Sequence, residues 1–214
     1  MHDVLVVEGL GFSFPQSNAL FENLCFSIRE GEALGLFGSS GSGKSTLAKC
    51  LMRLLPFTGC VKIPEKQIQI VFQDSVASLN PAWIVEYLLE EPLKIHRKDL
   101  TGRERRNRVR ELLDWVGLEG EIRKRLPSEL SGGQRQRVNI ARAIACEPKL
   151  LILDEPVSQL AVSVQSSILK LLIRLPEEKK LSYLLISHDL DVLKMVCHRI
   201  LKMENGGIVN WFSE

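Results

Sequence analysis

The sequence lacks any apolar run that approaches the ~18 to 20 residues a membrane-spanning helix needs. Its first residues, Met1-His2-Asp3, do not show the basic and then apolar layout of a secretory signal. Charge of one sign is not in excess either, with 28 Lys and Arg against 26 Asp and Glu, which argues against a surface built wholly for polyanions. These absences predict a protein of the cytoplasm.

The cysteines do not occur at the spacings typical of zinc sites or disulfide frameworks. The five cysteines show neither CxxC pairs nor cysteine-histidine spacing, so a zinc site or a disulfide framework is not expected. We expect buried, reduced thiols instead. Repeats, low-complexity tracts and linkers are also missing, and 214 residues suit one domain, with or without an inserted subdomain.

What is present is an alternation of strand and helix patterns. Residues 3–30 alternate apolar and polar positions, which predicts antiparallel strands. A short apolar strand at 34–37 is followed by a helix over 45–55. Further apolar strands are predicted at 150–153 and 183–187, with helices between them. This order favours an α/β fold with a mainly parallel, covered sheet and an antiparallel β part.

One stretch breaks this pattern, because it is helical and strongly charged. We expect a helical subdomain at about 81–126, inserted into a core formed by about 1–80 and 127–214. The stretch includes an arginine cluster at 103–110. Arginines spaced three or four residues apart beside glutamates are typical of a solvated helix face, although closely spaced arginines can also bind phosphate.

The segment between the strand at 34–37 and its helix reads GSSGSGKS, from Gly38 to Ser45, and Thr46 follows. It matches GxxxxGK[ST] at every fixed position, the pattern of a phosphate-binding loop. Glycines let backbone N–H groups turn toward phosphates, and the helix N-terminus adds its dipole. Lys44 is expected to neutralise the charge on the β- and γ-phosphate oxygens of a bound nucleotide, and Ser45 to offer a hydroxyl ligand to Mg²⁺. The competing interpretation is a flexible Gly/Ser turn.

The apolar strand at 150–153 ends in two acids, Asp154 and Glu155. A buried carboxylate costs several kcal/mol unless a cation or hydrogen bonds compensate it. Mg²⁺ would compensate Asp154, and Glu155 is the candidate to orient or deprotonate an attacking water. An isolated Asp-Glu pair is more often a solvated helix start.

Between the phosphate loop and these acids, Leu130 to Gln134 read LSGGQ. The segment resembles the signature motif of ATP-binding cassette (ABC) proteins, and the three motifs stand in that family's order. The resemblance covers nearly the whole chain. It implies a P-loop NTPase core and a dimeric ATPase in which the signature of one subunit covers the nucleotide held by the other.

Single residues extend the resemblance. Gln73 falls at the family's Q-loop glutamine, which touches the metal and the attacking water, and His188 falls at its switch histidine, which contacts the γ-phosphate. Phe14 resembles the aromatic that stacks on adenine, with Phe12 as the other candidate and a core aromatic as the competing reading. His96 and His198 are interpreted as ordinary residues.

The resemblance implies ATP and Mg²⁺ as cofactors. Metal contacts are expected from Ser45, Gln73 and Asp154, and catalytic roles from Glu155, His188 and Gln73. The expected nucleotide contacts are Phe14, Gly38, Ser39, Ser40, Gly41, Ser42, Gly43, Lys44, Ser45, Thr46, Ser131, Gly132, Gly133 and Gln134.

Residues 72–81 read FQDSVASLNP and resemble the ATPases of peptide and nickel importers, as do 154–158 and 162–165. The resemblance implies import of a small peptide, nickel or a metal chelate. Implied partners are a second ABC ATPase, two membrane-spanning permease subunits and an extracytoplasmic solute-binding protein, with no nucleic acid. The chain would then lie at the cytoplasmic face of the membrane.

Three departures from the family pattern stand out. The family usually reads SALD where this chain has Ser158-Gln159-Leu160-Ala161. Because Ala161 cannot accept the hydrogen bonds of that Asp, we expect pairing with a different ATPase and two unequal sites. The segment at 59–67 is shorter than its counterpart in the family. We also expect no C-terminal extension of the kind common in peptide-importer ATPases.

Two alternative functions remain open. One is a soluble ABC ATPase acting on nucleic acid, ribosomes or an enzyme complex, and the other is a regulatory cassette with little turnover.

Overall fold

The computed structural model describes residues 2–63, 68–179 and 181–213. Contacts within the chain divide it into two compact units. The first comprises Met1–Ile70, Lys149–Glu155 and Leu172–Glu214, and the second comprises Val71–Pro148 and Pro156–Leu171.

Strands β1 to β5 are Asp3–Ser13, Ala19–Arg29, Ala33–Phe37, Thr58–Lys62 and Ile68–Val71, and β6 to β9 are Leu150–Asp154, Ser182–Ser187, Arg199–Glu204 and Gly207–Ser213. Helices α1 to α6 are Lys44–Leu51, Val85–His96, Gly102–Trp115, Gly132–Ile144, Val162–Lys179 and Leu190–Val196. Short 3-10 turns cover Gly120–Lys124 and Pro127–Glu129.

A six-stranded sheet has the order β5-β6-β7-β3-β8-β9. The pairs β6–β7, β7–β3 and β3–β8 are parallel, whereas β8–β9 is an antiparallel hairpin. Every residue of β6 and β7 is buried, which fits their near-continuous apolar sequences and coverage on both faces. The mainly parallel sheet predicted from the sequence is therefore present.

The antiparallel strands predicted within residues 3–30 are also present. They are β1 and β2, which with β4 form a three-stranded sheet of order β2-β1-β4. Its inward positions join the core of the first unit, where Leu5, Leu10 and Ile28 are fully buried beside Leu47 of α1. This packing places the β1–β2 hairpin in the same unit as the phosphate loop.

Two sequence expectations are wrong in detail. The helix after the phosphate loop ends at Leu51 rather than Leu55, because Arg53 takes a left-handed backbone with φ of 56° and the chain turns away. The thiols are not uniformly buried, since Cys25 and Cys60 are exposed. Both lie on the solvent-facing side of the three-stranded sheet, where strand alternation turns every second side chain outward.

In the second unit, α2 and α3 lie within the stretch expected to be helical. α3 begins with a capping box, in which Thr101 Oγ1 accepts from the Glu104 N–H and Glu104 Oε2 accepts from the Thr101 N–H. Arg108 of this helix is held by ion pairs within the unit. Arg108 pairs with Glu111 and Glu147 at 2.8 Å each, and Glu147 also pairs with Arg97 at 3.1 Å.

Candidate functional site

Three loops of the first unit converge because their strands are parallel neighbours. The carboxyl ends of β3, β6 and β7 lie at one edge of the sheet, where ligands bind in open α/β sheets. Phe37 at the end of β3 pairs with Ser187 of β7, and Asp154 of β6 pairs with Ile186. The phosphate loop, the two acids and His188 therefore start from the same edge.

The phosphate loop connects β3 to α1 and cannot hold side chains at its ends. A Cβ at Gly38 would lie 2.7 Å from the Met203 carbonyl oxygen. Gly43 caps α1 with φ of 101°, a left-handed conformation that favours glycine. Ser39 and Ser40 are exposed between them. The loop is therefore an exposed turn at a helix N-terminus, which is suited to an anion.

Lys44 is buried at the base of this loop. Its ammonium donates to the carbonyl oxygens of Gly38 at 2.7 Å and Ser39 at 2.8 Å. Burial lowers the Lys44 pKa, whereas the nearby Glu155 and Asp154 carboxylates act to raise it. Ser42 Oγ is buried close by and has no hydrogen-bond partner in the described part of the chain. A buried cation and an unpartnered hydroxyl at one loop fit a phosphate group.

Asp154 lies at the end of β6 with 5% of its surface exposed. The Ser45 hydroxyl donates to its Oδ1 at 3.1 Å. Burial raises the pKa of the Asp154 carboxyl, and the hydrogen bond from Ser45 opposes that effect. A buried carboxylate beside a hydroxyl offers the oxygen ligands that Mg²⁺ prefers, so the residues fit the expected metal.

Glu155 and His188 contact each other directly, which their separate positions in the sequence did not reveal. Glu155 Oε1 accepts from the His188 backbone N–H at 3.0 Å and lies 2.8 Å from His188 Nδ1. The Glu155 backbone is left-handed, with φ of 51°, and its N–H donates to Ile186 O at 3.0 Å. The Glu155 side chain is 11% exposed and that of His188 is 61% exposed. The pair therefore places a fixed carboxylate beside a solvent-accessible imidazole.

The two aromatic candidates differ in exposure. Phe14 is 49% exposed, whereas Phe12 is 7% exposed and packs in the core. Their rings meet edge to face, with centroids 4.9 Å apart. A Cβ at Gly43 would lie 3.2 Å from Leu20 Cγ, so β2 reaches the phosphate loop just past the turn that carries Phe14. Phe14 is thus the ring available to a base.

His198, interpreted from the sequence as an ordinary residue, accepts from the Ala33 N–H through Nδ1 at 3.0 Å. This bond ties the residue before β8 to β3 and explains His198 without a ligand. His96 is exposed at the end of α2.

The signature segment belongs to the second unit, where it begins α4. Ser131 Oγ accepts from the Gln134 N–H at 3.3 Å, and Gln134 Oε1 accepts from the Ser131 N–H at 2.9 Å. This is a capping box, a role that the serine-to-glutamine spacing could have signalled. Gln134 therefore stabilises the helix start, and its nucleotide contact stays a prediction.

The two signature glycines face the start of α5. A Cβ at Gly132 would lie 3.3 Å from Leu160 Cδ2, and one at Gly133 would lie 2.3 Å from Val164 Cγ1. The second distance is far inside van der Waals contact. Packing within the subunit therefore requires glycine at position 133, whatever it contacts outside.

Gln73 also belongs to the second unit. Its side-chain amide donates to Ser158 Oγ at 3.5 Å, which links it to the segment before α5. That helix starts after Ala161, whose carbonyl accepts from the N–H groups of Val164 and Gln165 at 2.8 and 3.0 Å. The Ala161 methyl cannot cap the helix as an Asp side chain could.

No helix in the described part of the chain is long and apolar enough to span a membrane. Residues 21–158 match the protein family described as "ABC transporter". The oligopeptide transport ATP-binding protein OppF of Bacillus subtilis is 44% identical over 88% of this chain. The ABC transporter ATP-binding protein YejF of Escherichia coli is 41% identical over 96% of it. The chain spans 67% of OppF and 44% of YejF.

Among solved structures, the ATP-binding cassette MJ0796, a dimer in a post-hydrolysis state bound to ADP and Pi, matches with a TM-score of 0.86. The two are 29% identical, and the match covers 98% of this chain and 99% of that one. CbiO1 from Clostridium perfringens, part of the transporter complex cbiONQ, matches with the same score at 28% identity, over 97% of this chain and 87% of its own.

Proposed function

This chain belongs to the ABC transporter family and carries that family's ATPase domain, and we propose that it is the ATP-hydrolysing motor subunit of an importer. The observation that carries the proposal is the meeting of three features at one sheet edge. These are the buried Lys44 ammonium, the hydrogen-bonded Ser45 and Asp154, and the contact between Glu155 and His188. Together they provide charge neutralisation, a metal site and a carboxylate for water.

In the proposed reaction, the phosphate loop and Lys44 hold the β- and γ-phosphates of ATP. Ser45 and Asp154 would hold Mg²⁺, and Gln73 is assigned to the same ion by its resemblance. The ion, when bound, supplies positive charge that offsets the charge on the phosphates. Glu155 orients or deprotonates the attacking water, and His188 fixes the carboxylate of Glu155 and contacts the γ-phosphate.

The second half of each site comes from another subunit. Ser131, Gly132 and Gly133 of one subunit would cover the nucleotide held by the other, so ATP closes the dimer and hydrolysis opens it. Ala161 stands where the family's Asp links the subunits. We therefore propose a heterodimer with a second ABC ATPase and two sites of unequal activity. A homodimer with two equally fast sites would contradict this pairing.

Two permease subunits are the proposed membrane partners, which would place the chain peripherally at the cytoplasmic face. A groove of about 340 Å³ on the second unit is lined by Trp83, Tyr87, Glu91, Lys94 and Ile95. Its exposed aromatic and aliphatic side chains suit a short helix of a permease. We propose that residues about 81–126 form the subdomain that receives this helix. A solute-binding protein outside the cell would complete the system.

The proposed cargo is a small peptide, because OppF is named for oligopeptide transport and residues 72–81 resemble importers of that group. Nickel or a metal chelate is the other cargo that the resemblance implies. Uptake of labelled peptides into vesicles that hold the assembled complex would separate them.

The primary test is ATP hydrolysis by the purified chain, alone and with co-purified partners, beside Glu155→Gln. We expect activity that depends on the partners and falls by about 10² to 10⁴ in Glu155→Gln. Glu8→Gln is a matched control, because Glu8 is exposed and pairs with Lys62 at 3.0 Å on the three-stranded sheet. Unchanged turnover in Glu155→Gln would refute the assignment.

The soluble alternative rested on the arginine cluster at 103–110. The structure favours the solvated-face interpretation, because Arg108 is paired with two glutamates and Arg105 donates to Leu100 O at 2.6 Å. Fast turnover that permease subunits do not change would favour the alternative, and very slow turnover in every assembly would favour a regulatory cassette.

A further inference from the structure

The segment that follows Gln73 is a compact turn rather than an open loop. Asp74 Oδ1 accepts from the N–H groups of Val76 and Ala77 at 2.9 and 3.0 Å, and the Ser78 hydroxyl donates to Asp74 O at 2.6 Å. The Leu79 N–H donates to Val76 O at 3.3 Å. These bonds hold residues 74–79 together. Because Gln73 directly precedes this turn, its position depends on where the turn is anchored. We call residues 74–79 the Q turn.

The Q turn is anchored to α4, the helix that begins with the signature motif. Asn139 Nδ2 donates to Ser75 O at 3.1 Å, and Arg142 Nη1 donates to Ser78 O at 3.2 Å. The two side chains are three residues apart on α4 and so lie on one face. Asn139 is 5% exposed, and a buried amide is retained at low cost only when it is hydrogen-bonded.

Arg142 also reaches α2. Its Nη2 donates to Glu91 Oε2 at 2.7 Å, and Glu91 lines the groove defined above. One guanidinium therefore joins the Q turn, the groove and α4. A planar fork can serve two acceptors in this way, whereas an ammonium lacks that fixed geometry.

We propose that Asn139 and Arg142 are positioning residues for Gln73, which hold the Q turn on the signature helix so that both move as one body. Neither residue touches the phosphate loop segment or the acids of the first unit in any contact described above. Their effect on catalysis rests on the proposed ATPase function and passes through Gln73. Their effect on the Q turn itself does not depend on that function.

The first test is hydrogen exchange of the nucleotide-free chain in Asn139→Ala, resolved for the amides of Val76, Ala77 and Leu79. We expect exchange about ten-fold faster than in the wild type, because one part-buried hydrogen bond that holds the turn is lost. Asn139→Asp should have the same effect, since a carboxylate cannot donate to Ser75 O. Asn107→Ala is the matched control, as Asn107 is an exposed asparagine on α3.

The Leu47 amide, which donates to Gly43 O at 2.8 Å in the first unit, is the internal reference. Faster exchange at the Q turn with an unchanged rate at Leu47 supports the proposal. Equal acceleration at both places would show only lower global stability and would overturn it. The proposal would also be overturned if the Q-turn amides of Asn139→Ala exchanged no faster than those of Asn107→Ala.

The second test uses turnover in the assembled complex. Asn139→Ala should lower kcat several-fold and leave KM for ATP unchanged, because the phosphate loop is intact. The kcat of Arg142→Lys should lie between those of Arg142→Ala and the wild type. A change in KM with constant kcat would overturn the positioning role. A complex in which even the wild type shows no hydrolysis would instead count against the proposed function, while the exchange result would still decide the anchoring.

Discussion

The two signature glycines should respond in opposite ways to alanine, although they are adjacent in the first turn of α4. Alanine is favoured over glycine in a helix by roughly 0.5–1 kcal/mol. At Gly132 the added Cβ meets Leu160 Cδ2 at 3.3 Å, the flexible end of a side chain that can yield. Gly132→Ala should therefore be neutral or stabilise the protein by up to about 0.5 kcal/mol.

At Gly133 the added Cβ would lie 2.3 Å from Val164 Cγ1, well short of the ~3.5 Å optimum between carbon atoms. Val164 is β-branched and stands in the first turn of α5, where one rotamer is strongly preferred. The helices must then separate, at an overpacking cost of about 1–3 kcal/mol. After the helix gain, Gly133→Ala should destabilise the chain by about 1–2 kcal/mol, which lowers Tm by roughly 2–8 °C.

Thermal unfolding of the nucleotide-free chain measures both variants without any assumption about ATP. The decisive control is the double variant Gly133→Ala with Val164→Ala, which removes the clashing methyl groups. We expect a favourable coupling of about 1–3 kcal/mol in the double-mutant cycle. If Gly133→Ala melts at or above Gly132→Ala, or if Val164→Ala gives no relief, the packing argument is wrong.

Three further substitutions test the site. Asp154→Asn should raise Tm near neutral pH. Burial raises the Asp154 pKa, so the folded state disfavours the ionised carboxylate that the substitution removes. The gain in Tm should vanish as the pH falls toward the ordinary pKa of a carboxyl group, where Asp154 is protonated in both states. Ala161→Asp should raise Tm by roughly 2–4 °C by capping α5, as measured by thermal unfolding. Phe14→Ala should weaken ATP binding by roughly 1–3 kcal/mol in an equilibrium titration and leave Tm unchanged, since the ring is half exposed.

Each of these expectations has a contrary outcome. A Tm difference for Asp154→Asn that is the same at pH 4 and pH 8 would remove the buried-charge explanation. Ala161→Lys, which offers no cap and the wrong charge for a helix N-terminus, should not stabilise, and equal gains from Lys and Asp would contradict capping. A large drop in Tm for Phe14→Ala would assign that ring to the core.

The core elements could be predicted from the sequence because their signals are local. The apolar runs of β6 and β7 and the strand-loop-helix around Lys44 lie where the pattern places them. Helix ends were less predictable. Leu55 continues the apolar spacing of α1, but the chain leaves the helix at Arg53, where a left-handed residue ends the turn. Pro56 indicates that a helix ends nearby, but it does not fix the last helical residue.

Contacts between distant positions could not be predicted in the same way. The Glu155 to His188 contact depends on β6 and β7 being parallel neighbours in one register. Asn139 has no local pattern that marks it, since an asparagine inside a helix usually indicates a solvated position. The approach of the Q turn to α4 gives its amide a hydrogen-bond acceptor, the Ser75 carbonyl oxygen. Such roles follow from tertiary packing and carry no periodic signal.

The second unit thus concentrates three kinds of constraint on α4. Ser131 and Gln134 cap the helix. Gly133 leaves space for the Val164 side chain. Asn139 and Arg142 bind the Q turn. A substitution in the signature segment can therefore lower turnover by loosening the helix, even where no nucleotide contact is lost. Turnover alone does not separate these causes. Capping and packing defects should lower Tm without nucleotide, whereas loss of the proposed contact with ATP in a partner's site should leave the unfolding of the isolated chain unchanged.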